Sequence, residues 1–147
     1  MEIMSIFAER LSDLMLENNT TKEMLSNKLN IDITNIRRYL RKTSIPMLSN
    51  AIKIADYFNC SLDFLFGLEN ENIYHIFKPT SSFSQCFQTV LAENNCSRYK
   101  LHKKTKISDQ IIDDWFHGVR VPTIDNIIIL AKYFNCSIDY LIGRANY

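Results

Sequence analysis

The segment TKEMLSNKLNIDITNIRRYLR, residues 21–41, has the pattern of two short helices separated by a tight turn. The apolar side of the first helix is marked by Leu25 and Leu29, and Asn30 begins the predicted turn. The second helix is predicted to bury Ile36, Tyr39 and Leu40. Suitable capping residues precede both helices, namely Thr20 or Thr21 for the first and Asp32 for the second.

Three further helices are predicted around this pair. An upstream apolar stripe (Phe7, Leu11, Leu14, Met15) predicts a first helix that ends at Asn18 and Asn19. Pro46 precedes a fourth helix that is predicted to bury Leu48, Ile52 and Ala55. Ser61 can cap a short fifth helix, which Gly67 ends. The fold class is therefore all-α.

The whole pattern occurs twice. ADYFNCSLDFLFG at residues 55–67 returns as AKYFNCSIDYLIG at residues 131–143, and an ungapped offset of 76 aligns the rest of both copies. We therefore predict two tandem five-helix units at residues 1–68 and 79–147, joined by a short linker at about residues 69–80. Each unit is about the size of the smallest domains that fold alone.

The linker contains several apolar side chains, which indicates that it packs against something. They are Ile73, Tyr74, Ile76 and Phe77. A short helix and a short strand remain equal alternatives for this segment.

Composition narrows the class of protein. Apolar residues make up 46% of the chain, only 3 Gly and 3 Pro occur, and the formal net charge is +1. The sequence shows no membrane-spanning run, signal peptide, metal motif, phosphate loop or catalytic arrangement. We therefore expect a cytoplasmic protein with no cofactor and no enzymatic activity. The 4 cysteines should be free thiols, with Cys60 and Cys136 buried at equivalent positions.

These features together resemble the lambda-repressor/Cro-like helix-turn-helix family, also called the XRE family. The resemblance rests on residues 21–41, on the helix that follows Pro46, on ADYFNCSLDFLFG, and on the equivalent stretches of the second copy, including SRYKLHKKTKISDQIIDDWFHGVRVP. It implies double-stranded DNA as the partner, with the third helix in the major groove.

The resemblance also implies contact residues in the first unit. The candidate base-reading residues are Ile33, Thr34, Arg37 and Arg38, and a bidentate arginine–guanine contact supplies about 1–3 kcal/mol of discrimination. Phosphate contacts fall to Thr21, Lys22, Asn35, Arg41, Lys42 and Thr43. Lys42 stands where the family usually has glycine, which brings the tight turn after the third helix into question.

The second unit departs from this pattern. Asp113 and Asp114 replace Arg37 and Arg38, and Asp109 replaces Ile33, so three carboxylates would face the phosphates. Other residues of the unit still suit DNA. The candidate contacts are Ser97, Arg98, Lys103, Lys104, Asp109, Gln110, His117 and Arg120.

Two functions remain open at this stage. The first is a sequence-specific DNA-binding transcriptional regulator that covers two half-sites alone or as a homodimer. The alternative is a protein-interaction or dimerisation module in which the second unit has reduced DNA binding. Nonspecific nucleic-acid binding through RYKLHKKTK is a third, weaker option. No small-molecule substrate is evident.

Overall fold

The computed structural model describes residues 2–73 and 76–146. Within these residues the regular structure consists of ten helices and contains no strand, which confirms the all-α prediction. The chain divides into two compact units, Met1–His75 and Ile76–Tyr147. None of the helices in the described ranges is long and apolar enough to span a membrane.

Each unit contains five helices in the same order. In unit 1 they are α1 (Glu2–Glu17), α2 (Lys22–Leu29), α3 (Ile33–Leu40), α4 (Leu48–Phe58) and α5 (Leu62–Leu65). In unit 2 they are α6 (Phe83–Glu93), α7 (Arg98–Thr105), α8 (Asp109–Phe116), α9 (Ile124–Phe134) and α10 (Ile138–Leu141).

An aromatic cluster joins the helices inside each unit. In unit 1 the ring of Phe7 stacks on Phe66 at 5.1 Å and meets Tyr39 edge-on at 5.7 Å. In unit 2 the buried Trp115 meets Phe87 edge-on at 5.7 Å and Phe83 at 6.1 Å. Because Tyr39 and Trp115 lie on α3 and α8, the packing of these rings fixes how both helices sit on their units.

Capping side chains begin the helices where the sequence predicts them. Thr21 accepts a hydrogen bond from the Met24 amide and caps α2, and Asp32 accepts from the Thr34 amide and caps α3. Ser61, Ser108 and Thr123 cap α5, α8 and α9 in the same way. Met47 provides no side-chain cap for α4.

Some burial predictions were wrong in detail. Leu29, Leu40 and Ile52 are only half-buried, and α4 instead buries Ala51 and Ile54 fully. Helical periodicity gives the centre of an apolar face, but the neighbouring helices decide how far that face extends. Cys60 is buried as predicted, whereas Cys136 is half-buried, and all four cysteines are free thiols.

The turn after the third helix keeps one geometry in both units. Lys42 adopts a left-handed conformation with φ of 64°, and the equivalent Gly118 has φ of 75°. The Thr43 amide donates to the Arg38 carbonyl at 3.0 Å, as the Val119 amide does to the Asp114 carbonyl at 2.8 Å. The tight turn therefore persists without glycine, at the cost of a strained lysine backbone.

The linker forms neither a helix nor a strand in its described residues. Ile73 and Ile76 are exposed, so the prediction that they pack was wrong, and Tyr74 lies outside the described residues. Phe77 does pack, because the Arg144 guanidinium lies 3.9 Å above its ring. Residues 76–80 are thus attached to unit 2.

Candidate nucleic-acid interface

Helices α2 and α3 of unit 1 present a set of polar and cationic side chains to solvent. Thr34, Arg37, Arg38 and Arg41 are exposed, while Ile33 and Asn35 are half-buried. The opposite side of α3 is fixed by the buried Ile36 and Tyr39. A hydrogen bond of 3.2 Å from the Asn50 amide nitrogen to the Tyr39 hydroxyl ties α3 to α4. The outward side chains therefore project from a helix that is firmly placed within its unit.

The three arginines of this face are not neutralised by the unit's own carboxylates. Within the described residues, Arg37, Arg38 and Arg41 take part in no ion pair. Lys22 and Lys42 are also exposed and also lack such a partner there. Their positive charges are available to an external polyanion.

Local hydrogen bonds involve two of the predicted phosphate contacts. The Thr21 oxygen accepts from the Met24 amide at 3.1 Å, which leaves its hydroxyl proton available to an outside acceptor. The Thr43 hydroxyl instead donates to the Arg38 carbonyl at 3.1 Å. Thr43 therefore holds the turn, and it would have to exchange this bond to donate to a phosphate.

The equivalent face of unit 2 has paired charges. Arg98 lies 3.1 Å from Asp113, and Arg120 lies 3.0 Å from Asp114. The Asp114 side chain is only 12% exposed, so this carboxylate is largely covered. The Arg98 guanidinium also lies 4.1 Å above the Phe116 ring. Two arginines that suit phosphate contacts are thereby engaged with carboxylates of α8.

The remaining polar residues of α8 are also engaged locally. The Gln110 amide donates to Asp114 at 2.9 Å, a bond it would have to exchange to contact a base. Nδ1 of His102 lies 3.7 Å from Asp109 and 2.6 Å from the Ile107 carbonyl, to which it donates. Nδ1 of His117 likewise donates to the Asp113 carbonyl at 2.9 Å.

The free positive charge of unit 2 is concentrated on α7. Lys103 and Lys104 are exposed together with Lys100 and Lys106. The Lys103 ammonium lies 5.5 Å from the exposed Tyr99 ring, and the exposed Ser97 caps the helix by accepting from the Lys100 amide. The lysines of α7 can therefore approach phosphates although α8 is acidic.

The pairing of Asp114 with Arg120 was not predicted, although the repeat contains a signal for it. Unit 1 has Arg38 and Ser44 at these positions, whereas unit 2 has Asp114 and Arg120. A charge reversal at one position thus accompanies a new opposite charge six residues later.

The structure provides no metal centre in the ranges it describes. No group of three or more His, Cys, Asp or Glu side chains there is placed to hold an ion. The three aspartates of α8 instead face basic side chains.

Comparison with known proteins gives one family. A helix-turn-helix family model matches residues 11–65 and again residues 88–141, which together are more than half of the chain. No curated protein and no solved structure matches the chain significantly. The matched family consists of DNA-binding domains and is generally non-catalytic. The chain therefore belongs to the XRE/lambda-repressor-like helix-turn-helix family and contains two copies of its domain.

Proposed function

We propose that this protein is a sequence-specific DNA-binding transcriptional regulator in which unit 1 reads the bases. Helix α3 enters the major groove with its N-terminal half towards the base edges. Arg38 contacts a guanine through O6 and N7, Arg37 assists from the same face, and Ile33 and Thr34 contact neighbouring bases.

The observation that carries this proposal is the unpaired arginine face of unit 1. Arg37, Arg38 and Arg41 are exposed and have no ion-pair partner within the described residues. At the positions equivalent to Arg37 and Arg38, unit 2 has Asp113 and Asp114. Each of these aspartates forms an ion pair with an arginine of its own unit. Because the two units share one fold, this difference reflects the surface chemistry and not the architecture.

Phosphate contacts come from both sides of α3. Lys22 and the Thr21 hydroxyl lie at the N-terminus of α2, where unpaired backbone amides and the helix dipole favour an anion. Arg41 and Lys42 lie just beyond the other end of α3. These groups fix the register of the helix on the duplex, while base contacts provide specificity.

A second candidate function applies to unit 2. The paired carboxylates of α8 favour a unit that adds phosphate contacts through α7, or one that serves for protein interaction and homodimerisation. A dimer would place two copies of unit 1 on half-sites about one helical turn apart, ~34 Å.

The test begins with selection of bound duplexes from a random pool by the full chain. Fluorescence anisotropy then compares wild type with the triple variant Arg37→Gln, Arg38→Gln, Arg41→Gln on the selected duplex. A control variant, Lys28→Gln with Lys53→Gln, removes two exposed positive charges outside the α3 face, against three in the test variant.

We expect the triple variant to lose at least about a hundredfold in affinity, since charge-assisted contacts contribute about 1–3 kcal/mol each. The control variant should lose little. Equal losses in the two variants, or no duplex bound at low salt, would overturn the proposal.

A further inference from the structure

A half-buried guanidinium group, that of Arg10, occupies a defined place in unit 1. Arg10 on α1 lies 4.4 Å above the Phe64 ring. Its Nη1 donates to the Phe64 carbonyl, and also to the Glu69 carbonyl at 2.7 Å. One aromatic ring and two backbone oxygens thus form a receptor for a planar cation.

Unit 2 keeps this receptor but lacks the arginine. By the offset of 76, Tyr140 is equivalent to Phe64, Ala145 to Glu69, and Cys86 to Arg10. The Tyr140 hydroxyl donates to the Glu93 carboxylate at 2.5 Å, which holds the ring in place. The cysteine side chain is too short to reach the positions that the Arg10 guanidinium occupies in unit 1.

A cavity of about 270 Å³ opens at this place in unit 2. Its walls include Cys86, Tyr140 and Ala145, the counterparts of Arg10 and its two partners. Replacing a large side chain by a small one leaves such a space when the surrounding fold is retained. This volume lies just below the range of typical small-molecule pockets, about 300–1,000 Å³, so only a small ligand fits.

The charges at the cavity differ from those in unit 1. Glu2, Glu9 and Asp13 of unit 1 correspond to Lys78, Gln85 and Thr89, all of which line the cavity. The Lys78 ammonium donates a hydrogen bond to the side-chain oxygen of Asn146 at 2.7 Å and lies at the rim of the cavity. A ligand with a second cationic end would be repelled here, whereas one with a carboxylate would be attracted.

We propose that this cavity binds a small guanidino acid, a molecule with a guanidinium group at one end and a carboxylate at the other. The guanidinium stacks on Tyr140 and donates to the Tyr140 and Ala145 carbonyls, as Arg10 does on their counterparts. The carboxylate meets Lys78. The site is separate from the proposed DNA surface and does not depend on DNA binding.

The test uses the full chain and 4-guanidinobutyrate as the probe, a guanidino acid that has no second cationic group. Backbone amide NMR spectra during titration should show shifts at Cys86, Tyr140 and Ala145, with a dissociation constant of about 1 mM for a ligand of this size. Methylguanidine lacks the carboxylate and should bind several-fold more weakly. 5-Aminovalerate keeps the carboxylate and one cationic end but lacks the planar group, and it should cause no shifts at these amides.

Two sets of variants check the location of the site. Cys86→Arg fills the cavity with the unit 1 side chain and should abolish binding of the guanidino acid, whereas Ala92→Arg puts the same side chain at an exposed position of α6 and should preserve it. Should Cys86→Arg fail to fold, Tyr140→Leu should lose binding while Tyr140→Phe, which keeps the ring, should retain it.

Some results would overturn the proposal. They are equal shifts with 5-aminovalerate, unchanged 4-guanidinobutyrate binding in a folded Cys86→Arg or Tyr140→Leu protein, and no shifts at ten times the expected dissociation constant. The DNA-binding tests above use other residues, so either proposal can fail without the other.

Discussion

The Arg98 guanidinium lies 3.1 Å from the Asp113 carboxylate in unit 2, whereas the equivalent positions in unit 1 are Lys22 and Arg37, two cations. The two side chains at these positions therefore neutralise each other in unit 2 and repel each other in unit 1. Like charges do not neutralise each other, so both cations of unit 1 remain available to an external anion, whereas attraction draws Arg98 and Asp113 of unit 2 together. The difference assigns base reading to unit 1 in our account.

Removing two of the three carboxylates of α8 should make unit 2 bind phosphates more strongly. In the variant Asp113→Asn with Asp114→Asn, Arg98 and Arg120 lose their partners and become available to DNA. We expect higher affinity and a log–log salt slope steeper by about 2, because each added phosphate contact contributes about 0.9. Anisotropy titrations at several salt concentrations measure both quantities.

The control for this experiment is Asp125→Asn, which removes an exposed carboxylate at the start of α9. It should change the salt slope little. If the α8 variant keeps the wild-type slope while remaining folded, its arginines do not reach phosphates.

Lys42→Gly should stabilise unit 1. Lys42 has φ of 64°, a conformation that costs an L-residue about 1 kcal/mol and costs glycine little. We expect the free energy of unfolding to rise by about 0.5–1 kcal/mol, since glycine also gains freedom in the unfolded chain. Urea denaturation followed by circular dichroism measures the change.

Lys53→Gly is the control, because Lys53 lies inside α4, where the backbone is right-handed and glycine relieves no strain. That variant should lose about 1 kcal/mol. A loss of stability in Lys42→Gly as well would show that the left-handed lysine is not strained.

Arg144→Ala should destabilise unit 2 strongly. Arg144 and Asp139 are almost fully buried, and their charged atoms lie 2.6 Å apart. Removing one member of a buried pair typically costs about 3–5 kcal/mol. Trp115 is the single tryptophan of the chain, so its fluorescence reports the unfolding of unit 2 in urea. A double variant with Asp139→Ala should lose less than the sum of the single losses.

The hydrogen bond between Tyr140 and Glu93 should affect stability at high pH. This bond, with a smaller effect of burial, raises the pKa of Tyr140 to about 12, whereas an unfolded tyrosine titrates near 10. The folded state holds the proton more tightly, so the stabilisation is present below about pH 10 and is lost as the pH rises through 12.

We therefore expect Tyr140→Phe to have a lower urea midpoint than wild type near neutral pH. The difference should shrink above about pH 10. A difference that grows over this range would contradict the assigned direction of the pKa shift.

Local signals account for most of what the sequence predicted. The caps Thr21, Asp32 and Ser61 act within three residues of themselves, so the helix starts follow from short stretches of chain. Because the pattern occurs twice, each helix could be predicted from two different stretches of the sequence. The extent of burial depends on neighbouring helices. Periodicity alone therefore predicts that Ile52 is buried, although it is half-buried in the structure.

The charges of the candidate interface were harder to predict. The alignment of the two copies identified Asp113 and Asp114 as unusual, but pairing with Arg98 and Arg120 depends on side-chain directions across separate elements. The left-handed Lys42 likewise depends on the α3–α4 turn, which holds its shape through the Thr43 and Arg38 hydrogen bonds. These are properties of the folded unit and not of a local motif.

The central claim is that the exposed face of α3 reads bases, and duplex selection repeated with Arg38→Ala tests it most directly. We predict that the variant enriches the wild-type motif with preference relaxed at one guanine position, while Lys53→Ala enriches the motif unchanged. An Arg38→Ala motif identical to that of wild type at every position would contradict the account.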